Sequence, residues 1–238
     1  YSAATTVTFS LATLSQAYRV AVYPLMARYA SQSPVELACL YRGSIRLLSM
    51  LVLPSVAGIA LLSLRIVHIA FGDGFLEASQ PLRILVFALI FMFLNVAESR
   101  MMLVHDRQHA SLAFLILSTT VNIVAGLALI PQNGAVGAAL ARLLSAALYF
   151  FLNHLYVSRH LSKCDYFALI LRPLVATLLM IPPVYLAKDA PLLIPITVGA
   201  STYVAVLWAL GGISVDDRAF LRQVISDRCG FGYQGSKR

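Results

Sequence analysis

The chain repeats one pattern: apolar stretches of some twenty residues, nearly free of charge and separated by short polar turns. About 20 residues of helix cross the ~30 Å hydrocarbon layer of a bilayer, and lipid offers no partner to an open backbone group, so such stretches are helices. About seven spans can be marked on that length rule, near residues 3–26, 45–71, 82–104, 112–130, 135–157, 167–186 and 192–210. The alternating ten-residue segments of a membrane β-barrel do not occur. The expected fold is all-α, a polytopic transmembrane helix bundle.

Composition leads the same way. Hydrophobic residues make up 60% of the chain, charged residues 12%, and the mean hydropathy is +0.82. A soluble domain carries about 25% charged residues. The net charge of +8 reflects basic residues at the ends of apolar runs, where they orient a membrane protein. No basic segment is interleaved with stacking aromatics in a polar setting, so nucleic acid is not an expected partner and membrane lipid is.

Lysine and arginine set the expected orientation. Arg28, Arg42, Arg46, Arg100, Arg107, Arg159, Lys163 and Arg172 fall on one side with the tail residues Arg218, Arg222, Arg228, Lys237 and Arg238; Arg65, Arg83 and Lys188 fall on the other. The positive-inside rule then makes the C-terminus cytoplasmic. Residues 1–211 form the expected membrane domain and 212–238 a cytoplasmic tail, too short to bury a core. The chain starts inside an apolar segment, with no basic n-region ahead of it. It reads as the C-terminal part of a longer protein with an odd number of spans upstream.

Two arginines interrupt the apolar pattern, Arg19 and Arg142. A charge at the bilayer centre costs at least about 2.5–3.5 kcal/mol, so such residues face a partner or a water-filled cavity, or snorkel to an interface. As cavity cations they would accept an anionic substrate such as a pyrophosphate. Asn95 and Asn122, in the middle of their spans, are expected as interhelical hydrogen-bonding groups or cavity lining. Glu98, Arg100, His105, Asp106, Arg107 and His109 are expected as a solvated, mixed-charge cluster at one connection. His68 and His154 are expected at interfaces. Pro131-Gln-Asn-Gly134 is a tight turn, followed by a small-residue stripe (Gly134, Gly137, Ala138, Ala139, Ala141) suited to close helix packing.

Catalytic and metal-binding signatures are missing. No nucleophile elbow, zinc motif or phosphate-binding loop occurs, and Cys39, Cys164 and Cys229 form no CxxC or Cys/His cluster. The chain is expected to be no enzyme and to need no metal or cofactor.

Several short segments, in order, carry a family resemblance. They are Tyr1-Ser-Ala-Ala4 with Val22-Tyr-Pro-Leu-Met-Ala-Arg28, then Leu53-Pro-Ser-Val-Ala-Gly58 with Ala70-Phe-Gly-Asp-Gly-Phe75. Pro81-Leu-Arg-Ile-Leu85, Asn122 with Leu129-Ile-Pro-Gln-Asn-Gly-Ala-Val-Gly-Ala-Ala139, and Arg172-Pro-Leu-Val-Ala176 follow. Together they resemble the C-terminal half of the polysaccharide flippases, the lipid-linked oligosaccharide exporters (Wzx-like) of the MOP superfamily, which also holds the MATE-like transporters. The resemblance implies one lobe of a two-lobed transporter, with the N-terminal lobe upstream as its partner. It implies movement of a lipid-linked oligosaccharide, typically undecaprenyl-pyrophosphate-linked, across the bacterial inner membrane for polysaccharide or lipopolysaccharide biosynthesis. A cation-coupled multidrug antiporter of the same superfamily is the nearest alternative, and a membrane-embedded glycan polymerase or ligase the next. Acids deep in the spans would favour the antiporter, and none is expected. A polymerase would need a larger external loop than Gly72–Gln80, Pro131–Gly134 or Ala187–Pro191.

Overall fold

The computed structural model describes residues 22–211 other than 31 and 163, together with 5, 6, 8, 13 and 18. Arg19 and the tail from 212 onward lie outside the described residues, as does most of the first expected span.

The described elements are helices throughout. Helix α1 is Pro34–Phe71, a 3-10 turn spans Asp73–Ala78, and α2 is Ser79–Val104. Helix α3 is Gln108–His160, α4 is Tyr166–Leu186 and α5 is Leu193–Ala209. Among the described residues, four units are long and apolar enough to cross a membrane: α1, Asp73–Val104, α3 and α4. The expected all-α membrane bundle is therefore borne out at that level.

Helix α1 starts eleven residues before the expected position near Ile45. Its signal is local: Ser33 caps the helix by accepting from the Glu36 amide at 3.4 Å, and Pro34 follows at the first turn. This is the Ser-x-x-Glu start pattern with proline where its missing N–H costs nothing. The 38 residues of α1 make a rod of about 57 Å at 1.5 Å per residue, well beyond the hydrocarbon thickness. Arg42 and Arg46 therefore do not end it. They lie within the rod, eight and twelve residues after its start.

Helix α3 is 53 residues long, but Gly134 (φ 53°, ψ −127°) is not helical. Contacts on either side of it show a hairpin. Ser111 and Tyr149 hydroxyls lie 3.2 Å apart, and the Phe114 and Tyr156 rings meet edge-on. Gly137 lies against the backbone of Leu129 and Ile130. Leu129 meets Gly137 beside the turn, while Ser111 and Phe114, further back along the first limb, meet Tyr149 and Tyr156, further on along the second, so the two limbs run antiparallel and the expected turn at Pro131–Gly134 is where the chain reverses.

The larger core packs α1 and α2 with the helical residues around 22–29; Met26, Tyr41, Ile45, Leu48, Leu82 and Met102 are fully buried in it. A smaller core of Leu62, Ala176, Met180, Val184, Tyr203 and Leu207 joins α1 to α4 and α5. Two polar anchors reinforce that second contact. Arg65 donates to the Asp189 carbonyl at 3.1 Å and to the Ala190 carbonyl, and the Tyr203 hydroxyl donates to the Met50 carbonyl at 3.0 Å.

Gly137 tests the hairpin. A Cβ there would collide with the Leu129 carbonyl and reach 2.9 Å from the Ile130 amide nitrogen, whereas at Gly126 it would meet only the Ile130 side chain at 3.6 Å. Gly126→Ala should hold or raise thermal stability, since alanine gains roughly 1 kcal/mol over glycine in a helix. Gly137→Ala should lower it, by the ~1–3 kcal/mol typical of overpacking. Melting curves of the purified variants compare the two directly.

Candidate functional site

Arg142 and Asn95 line the same cavity. It measures about 240 Å³ and lies between α2 and the two limbs of α3, bounded also by Met92, Ser99, Ser118, Thr119, Ser145 and Tyr149. The sequence expected both residues as possible cavity groups, from different spans. Arg142 is exposed on the cavity wall and has no ion pair among the described residues. Asn122 is half-buried and is not among the lining residues. Arg19 is outside the described residues.

The lining is donor-rich where it matters. Asn153, fully buried, donates from Nδ2 to Asn95 Oδ1 at 3.0 Å and to the Tyr149 carbonyl at 3.0 Å. With its oxygen engaged, Asn95 keeps its NH₂ group for the cavity. Ser99 and Ser118 donate back to Val96 and Leu115 carbonyls of their own helices, so their lone pairs remain. A guanidinium and an amide NH₂ are suited to a phosphoryl oxygen, the guanidinium through a charge-assisted bond. Asn95 thus serves both expected roles, interhelical bond and lining group. Asn153 was missed, though a pattern marks it. Arg142, Ser145, Tyr149 and Asn153 recur at helical spacing on one face of an otherwise apolar helix.

A second cavity is apolar. About 470 Å³ in size, it lies between α1, α4 and α5 and is walled by Met50, Pro54, Gly58, Met180, Gly199 and Tyr203 among others. Glycine keeps it open: at Gly58 a Cβ would meet nothing within 4 Å.

The mixed-charge cluster is not as expected. His105 is half-buried, and Asp106, Arg107 and His109 are exposed at the α2–α3 connection, but Glu98 is fully buried. Six residues before the end of α2, it points into the bundle and accepts from the Tyr41 hydroxyl at 2.8 Å and from the Tyr166 hydroxyl. His154 Nδ1 lies 2.9 Å from Glu98 Oε1, the oxygen that also accepts from Tyr166, so His154 is engaged within the bundle. Four helices therefore meet on one carboxylate. Beside it, in the α3–α4 connection, burial pushes the Cys164 thiol up to about 11, with the Arg42 guanidinium opposing. His68, by contrast, is exposed and paired with Asp73 at 2.6 Å.

Comparison with known proteins identifies this architecture. The chain is 29% identical over 163 residues to the probable low-salt glycan biosynthesis flippase Agl15 of Haloferax volcanii, a match covering 68% of this chain and 34% of that protein. Its fold superposes on the lipid II flippase MurJ in an inward closed conformation with a TM-score of 0.71 and 18% identity, covering 86% of this chain and 45% of that one. The chain therefore spans less than half the length of these relatives. The resemblance seen in the short proline- and glycine-bearing segments is borne out, and the lineage is one of transporters rather than enzymes. Residues 1–201 match the family described as lipid II flippase MurJ, and the chain belongs to that family.

Proposed function

We propose that this chain is the C-terminal lobe of a flippase that carries a lipid-linked oligosaccharide, its glycan joined by pyrophosphate to a polyprenyl chain such as undecaprenyl, across the cytoplasmic membrane. The observation that carries this reading is the Arg142–Asn95 cavity. A positive charge this deep in an apolar helix is tolerated only where it meets water or an anion, and the surrounding groups suit a phosphoryl oxygen. The rest of the transporter would supply the opposite wall.

The apolar groove between α1, α4 and α5 supports the same reading. A lipid-linked substrate needs two environments in one protein, a polar one for the head group and an apolar one for the tail. In this topology the chain crosses seven times, counting the first apolar segment and the two limbs of α3 separately, and its C-terminus is cytoplasmic by the distribution of basic residues. Alternating access of two lobes would then expose the cavity to each side in turn.

Arg142→Ala removes the charge-assisted contact, worth about 1.5–3 kcal/mol, and should lower flipping about tenfold or more at unchanged protein level. Arg142→Lys should recover part of it, because lysine keeps the charge without the planar fork. The assay is transfer of lipid-linked glycan between leaflets of reconstituted vesicles, and normal transfer by Arg142→Ala would refute the assignment.

Gly58→Phe should fill the groove without a backbone clash. It is expected to slow transfer of the polyprenyl-linked substrate while leaving binding of a water-soluble glycan pyrophosphate intact, as read by isothermal titration calorimetry.

A further inference from the structure

Asn153 is fully buried and is not among the residues that line the Arg142 cavity. Its hydrogen bonds nevertheless reach two residues that do, Asn95 on α2 and Tyr149 one turn earlier on α3. A residue with no place in the cavity wall therefore holds two of the groups that form it.

The two bonds fix a direction. Both leave from the same nitrogen, Nδ2. The Tyr149 carbonyl can only accept, so the NH₂ end of the Asn153 carboxamide is the end that faces it. The other hydrogen of that group meets Asn95 at 3.0 Å, and Asn95 has to answer with its oxygen. The orientation of both carboxamides thus follows from one backbone carbonyl, which no side-chain rotation can reverse. Asn153 Oδ1 is left buried without a hydrogen-bond partner among the described residues, and an unpaired buried acceptor opposes folding. The arrangement bears that cost because an overturned amide would set its oxygen against the Tyr149 carbonyl.

For the cavity, the direction of Asn95 matters more than its presence. The two ends of a carboxamide have nearly the same shape and opposite hydrogen-bonding character. With NH₂ toward the cavity, Asn95 adds N–H donors to the guanidinium of Arg142. Turned over, it would set a partly negative oxygen against a phosphoryl group. Among the described residues Asn95 makes no other side-chain hydrogen bond. The Tyr149 hydroxyl is shared with Ser111 on the first limb of α3 at 3.2 Å, and Ser99 and Ser118 are turned onto their own helices. The choice falls to Asn153.

We propose that Asn153 is a positioning residue for anion selectivity: it holds the Asn95 carboxamide with its NH₂ group toward the Arg142 cavity, so that the cavity takes phosphoryl oxygens. This rests on the reading of that cavity as the pyrophosphate site.

The test is binding of inorganic pyrophosphate to the full-length transporter in lipid nanodiscs, read by isothermal titration calorimetry. Asn153→Leu removes the donor and keeps a branched side chain. Asn153→Ser removes it without enlarging the residue, since a serine here can turn back onto the Tyr149 carbonyl as Ser44 does onto Leu40. Each should weaken binding about fivefold, the equivalent of one ordinary hydrogen bond. Asn95→Leu should weaken it at least as much. Asn95→Leu with Asn153→Leu should be no weaker than Asn95→Leu alone, because Asn153 acts through Asn95. Arg142→Ala should weaken binding by the same factor in the Asn153→Leu and Asn153→Ser backgrounds as in the unmodified protein, whereas a collapsed cavity would erase that factor. Unchanged affinity in both Asn153 variants, additive losses in the double variant, or an erased Arg142→Ala effect overturns the positioning role. If the unmodified protein does not bind pyrophosphate, or Arg142→Ala binds it unchanged, the pyrophosphate site itself falls and the proposal with it.

Discussion

Lipid gives a polar group nothing to bond to, and much of the polar side-chain pairing described in this bundle answers that constraint. Backbone groups are satisfied by helix formation. Side-chain hydroxyls follow by turning back onto their own helices: Ser44 to Leu40, Ser55 to Leu51 and Thr177 to Pro173, all at 2.7–2.8 Å. What remains are groups too large or too charged for that solution. They must meet one another across helices, so Asn153 finds Asn95, Arg83 finds Ser63, and Glu98 gathers Tyr41, His154 and Tyr166. Association of helices in a membrane has no hydrophobic drive of the aqueous kind, and such contacts together with close small-residue packing supply it.

The same constraint separates the exceptions from the rule. Arg142 lies in an apolar helix and has no ion pair among the described residues, while Arg65 and Arg83, nearer the helix ends, are both engaged. An unpaired cation facing a cavity beside an amide NH₂ is a different kind of feature from a structural anchor. It is that difference, more than the presence of arginine, that gives the transport reading its site.

Much of this was legible in the sequence because the membrane imposes a length. Twenty apolar residues between polar turns could hardly be anything but a helix, and Pro131–Gly134 marked the reversal inside α3. Arg142 and Asn95 stood out because each breaks an apolar run. Glu98 did not, because it adjoins the charged stretch ending at His109 and shares its appearance. Its burial depends on Tyr41, 57 positions before it, and Tyr166, 68 positions after it, and only the fold brings these together. The early start of α1 was hidden for a related reason. A helix can continue through charged residues where a membrane span cannot, so Arg42 and Arg46 looked like a boundary although the helix runs through both.

The bonds from Arg65 to the Asp189 and Ala190 carbonyls fix the far end of α4 to α1. A rod held at one end cannot slide; it pivots. Any displacement of α4 is then largest at Tyr166 and falls toward the held end, so Met180, closer to the fulcrum, travels less than half as far. The groove wall formed by Met180 and Val184 therefore lies on the part of α4 that such a displacement would move least.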